Sequence, residues 1–465
     1  MAAVAAMILA AGQGTRMKSA LPKVLHPLLG QPMLFYPLRL LADLGIEQPV
    51  VVVGNGREAV EAAVGAAWPG AVFAWQRQQR GTADAAAAAM EKLAAFSGPV
   101  IILCGDVPLL RTATVAALLD RHRERQAAVT VLTAVLAEAG AYGRVVVDGA
   151  GELERIVEAR DATAAELAIN RINSGTYCVD AAFLRRVLAA IDCQNAQGEY
   201  YLTDMVAKAR EAGLPVAWLD AGDPDEIQGI NDRRQLARAE QVLAGRIREQ
   251  WQLAGVSISF PDQVLIEPQV RIGQDTTIEM GVVLRGRTEI GRGCHLGVGA
   301  VLSDVRLADG VRIMPYSVLE GAEVEEGCQV GPFARLRPGT VLRREVKVGN
   351  FVEVKKAELG AGSKASHLSY LGDARIGRGV NIGAGTITCN YDGFNKYQTV
   401  IEDGVFVGSD TQFVAPVTIG RDALVGAGST ITKDVPANAV ATTRSRQVVY
   451  RDRGMAYRTA KKEKE

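Results

Sequence analysis

Aliphatic residues recur at every sixth position across residues 266–431, and this period dominates the second half of the chain. Ile266, Ile272, Ile278, Leu284, Ile290, Leu296 and Leu302 keep the step without a miss. After a one-residue deletion it resumes at Leu307, Ile313 and Leu319, and after another at Val324, Val330, Leu336, Leu342, Val348 and Val354. A last run holds Ile401, Val407, Phe413, Ile419, Val425 and Ile431, and glycine often follows the aliphatic residue, as at Gly273, Gly331 and Gly426. Neither a helix (period 3.6) nor a simple strand (period 2) selects a period of six over so long a span. The pattern predicts a coil of short strands, a parallel β-helix, with one aliphatic side chain inward per repeat and turns at glycine or small residues. A β-sandwich would show alternation within strands and looser spacing.

The coil has two interruptions. Around 357–373 the six-step is lost, and Lys355, Lys356, Lys364, His367 and Tyr370 gather there. Residues 390–398 form a polar insertion. Insertions in solenoids map to outer loops, frequently at the binding site. Beyond Arg444 the tail is basic, then mixed in charge, and reads as unstructured past about Arg453.

The first half alternates differently. An apolar strand over 4–9 breaks into a loop, Ala10 to Met17, rich in small residues. Helical stretches over 33–44, Arg57–Ala67 and 83–96 then alternate with strands over 49–53, Val72–Trp75 and 100–103. This order predicts a mostly parallel sheet covered on both faces, with ligands beyond the carboxyl ends of its strands. Asn231 opens a helix running to about Leu253, with Leu236, Leu243, Ile247 and Trp251 on one stripe. The expected division is 1–229, a linker helix 230–253, the coil 254–442 and a tail 443–465.

Composition narrows the function. Basic and acidic residues number 52 each, so no global field favours nucleic acid or an anionic membrane. No run of about 18 apolar residues exists to span a bilayer. Six scattered cysteines without a CxxC pair fit reduced thiols and a cytoplasmic setting. The apolar N-terminus lacks a basic leader and runs into a glycine motif, which suits a buried strand rather than a signal peptide.

Candidate chemistry sits in the loops. Backbone N–H groups around Gly12 and Gly14 can close on phosphate oxygens, with added dipole from a following helix start. The loop is neither the dinucleotide fingerprint, since position 17 is Met, nor a P-loop. Alone it reads as a plain strand-to-helix turn; Arg16 and Lys23 beside it suit a triphosphate. Asp106, after the fourth strand, reads equally as a metal ligand or a helix cap. Gly143, Glu158, Asn173 and the turn 198–204 carry groups suited to sugar hydroxyls, and equally to surface loops. Of four histidines, His367 stands out beside Arg337, Lys355 and Tyr370; a neutral imidazole there could take a proton from an amine attacking a thioester. Arg444 and Arg446 could meet coenzyme phosphates, and Asn390 could orient the base or the acceptor.

Three motifs carry a resemblance. Leu9-Ala-Ala-Gly-Gln-Gly-Thr-Arg-Met with Pro22-Lys23 resembles the signature of sugar-1-phosphate nucleotidyltransferases. The six-residue repeat resembles the left-handed parallel β-helix of hexapeptide acyltransferases, which pack as trimers. Both on one chain resemble the bacterial family of bifunctional UDP-N-acetylglucosamine pyrophosphorylases and glucosamine-1-phosphate N-acetyltransferases. The most specific pieces are Gly331-Pro-Phe-Ala-Arg-Leu-Arg-Pro-Gly339, His367-Leu-Ser-Tyr-Leu-Gly-Asp373 and Asn381-Ile-Gly-Ala-Gly-Thr-Ile-Thr-Cys-Asn-Tyr-Asp-Gly393.

The resemblance implies an α/β nucleotidyltransferase domain with a Rossmann-like, mostly parallel sheet, followed by the left-handed coil. It implies that Leu9, Ala10, Ala11, Gly12 and Lys23 bind UTP phosphates, and that Gln76, Gly81 and Thr82 recognise uracil. Cys104 and Gly105 would line the same site, while Gly143, Glu158 and Asn173 hold N-acetylglucosamine-1-phosphate. Asp106 and Asn231 would coordinate Mg²⁺, with Arg16 and Lys23 offsetting charge on departing pyrophosphate. In the coil, His367 would be the general base, and Arg337, Lys355, Tyr370, Asn381 and Lys396 would hold glucosamine-1-phosphate. Ala384, Asn390, Tyr391, Ser409, Ala427 and Arg444 would line the acetyl-CoA side. A homotrimer through the coil is implied, and neither nucleic acid nor membrane as partner. Two positions depart from the pattern: Cys104 stands where relatives commonly carry Tyr, and Ser366 where Gly is usual. The competing readings are a nucleotidyltransferase with a purely structural or regulatory coil, and a non-catalytic trimeric scaffold with a nucleotide-sensing head.

Overall fold

The computed structural model describes residues 3–462. Contacts divide the chain into Met1–Leu243 and Ala244–Glu465, so the break falls inside the long helix Arg233–Leu253. In the first unit one sheet runs Val216–Asp220, Val129–Val135, Arg171–Asp180, Pro99–Cys104, Ala5–Leu9, Val50–Val53, Val72–Trp75. Along this path the pairings are parallel except those of Arg171–Asp180, which is antiparallel to both neighbours; Arg144–Val147 and Leu153–Val157 add an antiparallel pair to its edge. Successive residues of the central strand face opposite layers. Met7 joins Val52, Ile102 and Ala86, while Ile8 joins Val51, Ile101, Leu38 and Val64. A strand buried on both faces reads as a continuous apolar run, which is how Ala5–Leu9 is written.

Two local expectations change. The loop after Ala5–Leu9 leads into a single 3₁₀ turn, Thr15–Met17, rather than a helix start. Gly14 and Lys18 flank it in the left-handed region at φ 63° and 49°, and such residues close a turn without continuing it. The first α-helix is Phe35–Asp43. Asn231 likewise does not open the linker helix. Asp232 accepts the Gln235 N–H at 2.8 Å as a cap would, and Asn231 stands before it with its side chain turned elsewhere.

The second unit is a left-handed parallel β-helix of three parallel faces, each strand pairing with the one three strands later. The inward side chains, such as Ile278, Leu284 and Ile290, are fully or almost fully buried. Two residues before many of them a small residue also turns inward, and its hydroxyl caps a corner carbonyl. Thr340 Oγ1 donates to Arg337 O at 2.7 Å and Thr386 Oγ1 to Gly383 O at 2.6 Å. Cys294 and Cys328 occupy this inward position, and burial pushes the Cys328 thiol up to about 11. All six cysteines are free thiols.

From Ile266 onward every irregularity of the period falls at one corner. Passages from first to second face (Ile278 to Leu284) and from third to first (Ile290 to Leu296) keep the step of six. From second to third face the step shortens to five at Leu302–Leu307, Leu319–Val324, Val354–Leu359 and Leu371–Ile376. Asp304, Gly321, Lys356 and Asp373 close these short turns at φ 53°, 51°, 44° and 46°. The insertion at 390–398 lies at the same corner, between strands Ile387–Cys389 and Thr399–Ile401.

The stretch 357–373 is therefore not a loop. Leu359, Ala365 and Leu371 fill the inward positions, all fully buried. The period looked lost because one step is five and one inward residue is alanine. The tail also differs from expectation: residues Arg453–Lys462 form a helix, with arginine, lysine and alanine favouring that state.

Candidate active sites

In the first unit three side chains from distant segments converge. Lys23 Nζ lies 2.5 Å from Asp106 Oδ2 and 2.8 Å from Asn231 Oδ1. Asp106 follows the strand Pro99–Cys104, whose end is bound to the central strand through Gly105 N–H to Leu9 O at 2.9 Å. Asn231 is held by Ile230 N–H, which donates to Asp106 O at 2.9 Å, and by Gly229 N–H, which donates to Tyr142 Oη at 3.2 Å. Lys23 approaches because position 14 is glycine; a Cβ there would stand 2.5 Å from Lys23 Cβ. Arg16 is exposed on the adjoining 3₁₀ turn.

Asp106 and Asn231 thus aim two oxygens at one cationic point. A carboxylate and an amide oxygen suit a hard divalent cation that completes its shell with water and phosphate. Among the described residues no group of three His, Cys, Asp or Glu forms a self-contained metal cage. The two oxygens fit a divalent cation.

Other predicted residues of this unit make contacts of their own. Gly81 backbone is pressed on Tyr200, whose O accepts Ala83 N–H at 2.9 Å, and Thr82 Oγ1 accepts Leu202 N–H at 3.0 Å. Cys104 Sγ faces Gly175 O at 3.4 Å; burial and the Asp106 charge push its thiol up to about 12, so it stays protonated. Gly143 O accepts Asn173 N–H at 2.9 Å, and a Cβ on Gly143 would meet the Glu158 carboxylate at 3.5 Å, so these three are neighbours. Burial raises the Glu158 carboxyl, against a 3.2 Å bond donated by Thr203 Oγ1. The turn 198–204 thereby joins the neighbourhood of Gly143, Glu158 and Asn173 through Thr203.

In the second unit His367 stands exposed at the corner between first and second faces. Its Nδ1 lies 2.6 Å from Asn350 Oδ1, one coil earlier in the same ladder. An amide oxygen can only accept, so Nδ1 carries the hydrogen and Nε2 presents a lone pair. Ala384, Ser409 and Ala427 continue that column coil by coil. Gly385 N–H donates to Leu368 O, Asp410 N–H to Ala384 O, and Gly428 N–H to Ser409 O, at 3.1, 2.6 and 2.8 Å. The Arg444 side chain passes over this end, within 3.6 Å of where a Cβ on Gly428 would lie.

A cation cluster lies at the next corner. Lys355 Nζ is 3.8 Å from Asp373 Oδ2, which also accepts from Asn390 Nδ2. The hydrogen bond and charge of Lys355 lower the pKa of Lys396, so the insertion brings a second ammonium beside the first. Two adjacent cations mark a site for an anion. Arg337 pairs with Glu353 at 2.9 Å, and Glu353 is the ladder neighbour of Tyr370, whose ring crosses Gly372. Tyr391 pairs with Lys396 across the insertion. Asn381 stands apart on the first face, between Lys364 and Phe406, and makes no side-chain bond to this cluster.

Sequence reasoning gave no role to Asn350 or Asp373. Asn350 was findable, because it precedes His367 by seventeen residues, one turn of this coil. Two other histidines, His26 and His122, are buried. His122 is buried against Thr130 Oγ1 at 3.0 Å, and burial lowers the pKa of His26.

Similarity to known proteins bears on both units. The nucleotidyl transferase family matches residues 5–235, and the bacterial transferase hexapeptide family matches 269–304 and 398–433. A bifunctional protein GlmU of Trichlorobacter lovleyi is 53% identical over 450 residues, covering 96% of this chain and 97% of that one. One from Pelobacter propionicus is 52% identical over 445 residues, at 96% of each chain. One from Heliobacterium modesticaldum is 50% identical over 444 residues, again at 96% of each. The chain therefore belongs to the GlmU family of bifunctional enzymes, a nucleotidyltransferase joined to a hexapeptide-repeat acetyltransferase.

Proposed function

We propose that the coil acetylates glucosamine-1-phosphate from acetyl-CoA, and that the α/β unit then transfers UMP from UTP to the N-acetylglucosamine-1-phosphate. The observation that carries this reading is the His367–Asn350 pair, which presents a free imidazole Nε2 on the column formed by Ala384, Ser409 and Ala427. A coil serving only as scaffold needs no oriented imidazole there.

His367 Nε2 takes a proton from the sugar amine as its nitrogen attacks the thioester carbonyl; the C–S bond breaks and the proton passes to the CoA sulfur. Lys355 and Lys396, with Arg337 and Tyr370, hold the sugar phosphate. Arg444, Asn390 and Tyr391 line the coenzyme. In the first unit a phosphate oxygen of the acetylated sugar attacks the α-phosphorus of UTP, and the bond to pyrophosphate breaks. Asp106 and Asn231 would hold a Mg²⁺, which supplies charge neutralisation to the phosphates. Lys23 and Arg16 offset the charge on pyrophosphate, and Gly143, Glu158 and Asn173 position the sugar. No protein nucleophile is required.

Free thiols and these co-substrates suit the cytoplasm, and no helix among the described residues is long and apolar enough to cross a membrane. A homotrimer through the coil is supported by exposed rings of Tyr316, Phe333 and Phe351 stacked along it at 5.4 and 5.3 Å; sedimentation at monomer mass would contradict it. The decisive experiment is release of CoA thiol from acetyl-CoA with glucosamine-1-phosphate, comparing wild type with His367→Ala. Loss in the folded variant supports the reading, whereas no release from wild type reduces the coil to a scaffold.

A further inference from the structure

Gln76 follows the strand Val72–Trp75, and its backbone N–H donates to Val53 O at 2.9 Å. Its side chain is buried, with the amide nitrogen donating to Gly81 O at 3.0 Å and Asp84 Oδ2 at 2.9 Å. A primary amide nitrogen has two N–H groups, so both are taken by the protein. Among the described residues no donor meets Oε1. Turning the amide over would set Oε1 against a carbonyl and a carboxylate, neither of which can donate, and leave both without their hydrogen bond.

Neither acceptor yields. Gly81 sits at φ 120°, where a Cβ would stand 2.4 Å from Tyr200 O, and Tyr200 N–H bonds back to Arg80 O at 2.8 Å. Asp84 lies in the first turn of the helix Thr82–Lys92, where the dipole favours a carboxylate, and its other oxygen takes Arg80 Nη2 at 2.6 Å.

We infer that Asp84 sets the base specificity of nucleotidyl transfer by locking the Gln76 amide with only its oxygen toward the nucleobase. The inference rests on the reading of Gln76 as a base contact. Uracil offers an N3–H donor to a fixed acceptor; cytosine offers an N3 lone pair and is refused. Asp84 touches no substrate and is a positioning residue.

The test measures kcat/KM for UTP and for CTP, with N-acetylglucosamine-1-phosphate, in wild type, Asp84→Asn and Asp84→Ala. Asn at this position can donate or accept, and Ala leaves Gly81 O as the only acceptor, so a folding failure in one variant leaves the other. The expected result is a wild-type preference for UTP that falls by roughly tenfold or more in the variants. A purely structural role would lower both substrates together; an unchanged ratio in a folded variant overturns the role of Asp84 while the uracil site stands. Equal use of UTP and CTP by wild type overturns the uracil reading, and the lock with it.

Discussion

The two active sites are assembled by opposite means. In the α/β unit, Lys23 reaches a carboxylate 83 residues away and an amide 208 residues away. In the coil, His367 meets its partner seventeen residues back, one turn below on the same ladder, and Ala384, Ser409 and Ala427 stack above it. One site depends on packing two layers onto a sheet. The other depends on counting. A solenoid converts sequence spacing into spatial columns, because each coil rests only on its neighbours; a doubly covered sheet gives no such rule.

The comparison breaks most visibly at the two centres. Replacing His367 by Ala should slow acetyl transfer by roughly 10²–10⁴-fold, and Asp106→Ala should slow uridylyl transfer by roughly 10²–10³-fold. Each is expected to leave the other reaction near wild type, measured as CoA thiol and pyrophosphate release. Joint loss in a folded protein would show that the sites are not independent.

The corner rule can be tested by insertion. One glycine after Asp304 lengthens a five-step to six at the variable corner and should cost under about 1 kcal/mol. The same insertion after Tyr316, at a corner that keeps the step of six from Ile278 onward, shifts the register of the column and should cost more than about 3 kcal/mol. Equal midpoints in urea melts of the two variants would remove the distinction.

A smaller effect is expected at Asn350. Its replacement by Ala removes one hydrogen bond to His367 and should lower acetyl transfer about tenfold, carried by kcat rather than by KM. A loss carried by KM alone would assign Asn350 to binding rather than to the base.

The smallest effect concerns Glu158. Burial raises its folded pKa above the unfolded value, so the fold is favoured while the group is protonated and loses that advantage as pH rises through the folded pKa. Glu158→Gln should therefore gain stability at neutral pH and show no gain below the unfolded carboxyl pKa. A gain that persists in acid would mean that charge is not the cause. Sugar binding should weaken in the same variant.

Much of this was legible in the residues, and the failures are instructive. The period of six located the coil and its strands, but around 357–373 it seemed to stop, because Ala365 replaced a larger aliphatic where one step had shortened. The glycine loop was legible as a phosphate-binding candidate, yet the helix expected after it is a 3₁₀ turn closed by Gly14 and Lys18 in left-handed conformations. Lys23, Asp106 and Asn231 were each named, and the resemblance set Asp106 and Asn231 on one cation, but the direct contact of Lys23 with both was not foreseen. Asp84 carried no signal at all, since its part depends on where the Gln76 amide lies.

Sequence alone determined the class of each unit, the inward face of the coil and the identity of most polar groups at both sites. These follow from local rules: a backbone of fixed rise, side chains at fixed periods and turns with few allowed residues. Tertiary structure alone decided which of those groups meet. Hydrogen bonds such as Lys23 to Asn231, Gln76 to Asp84 and His367 to Asn350 act over about 3 Å, a range at which only the packed chain decides who has a partner.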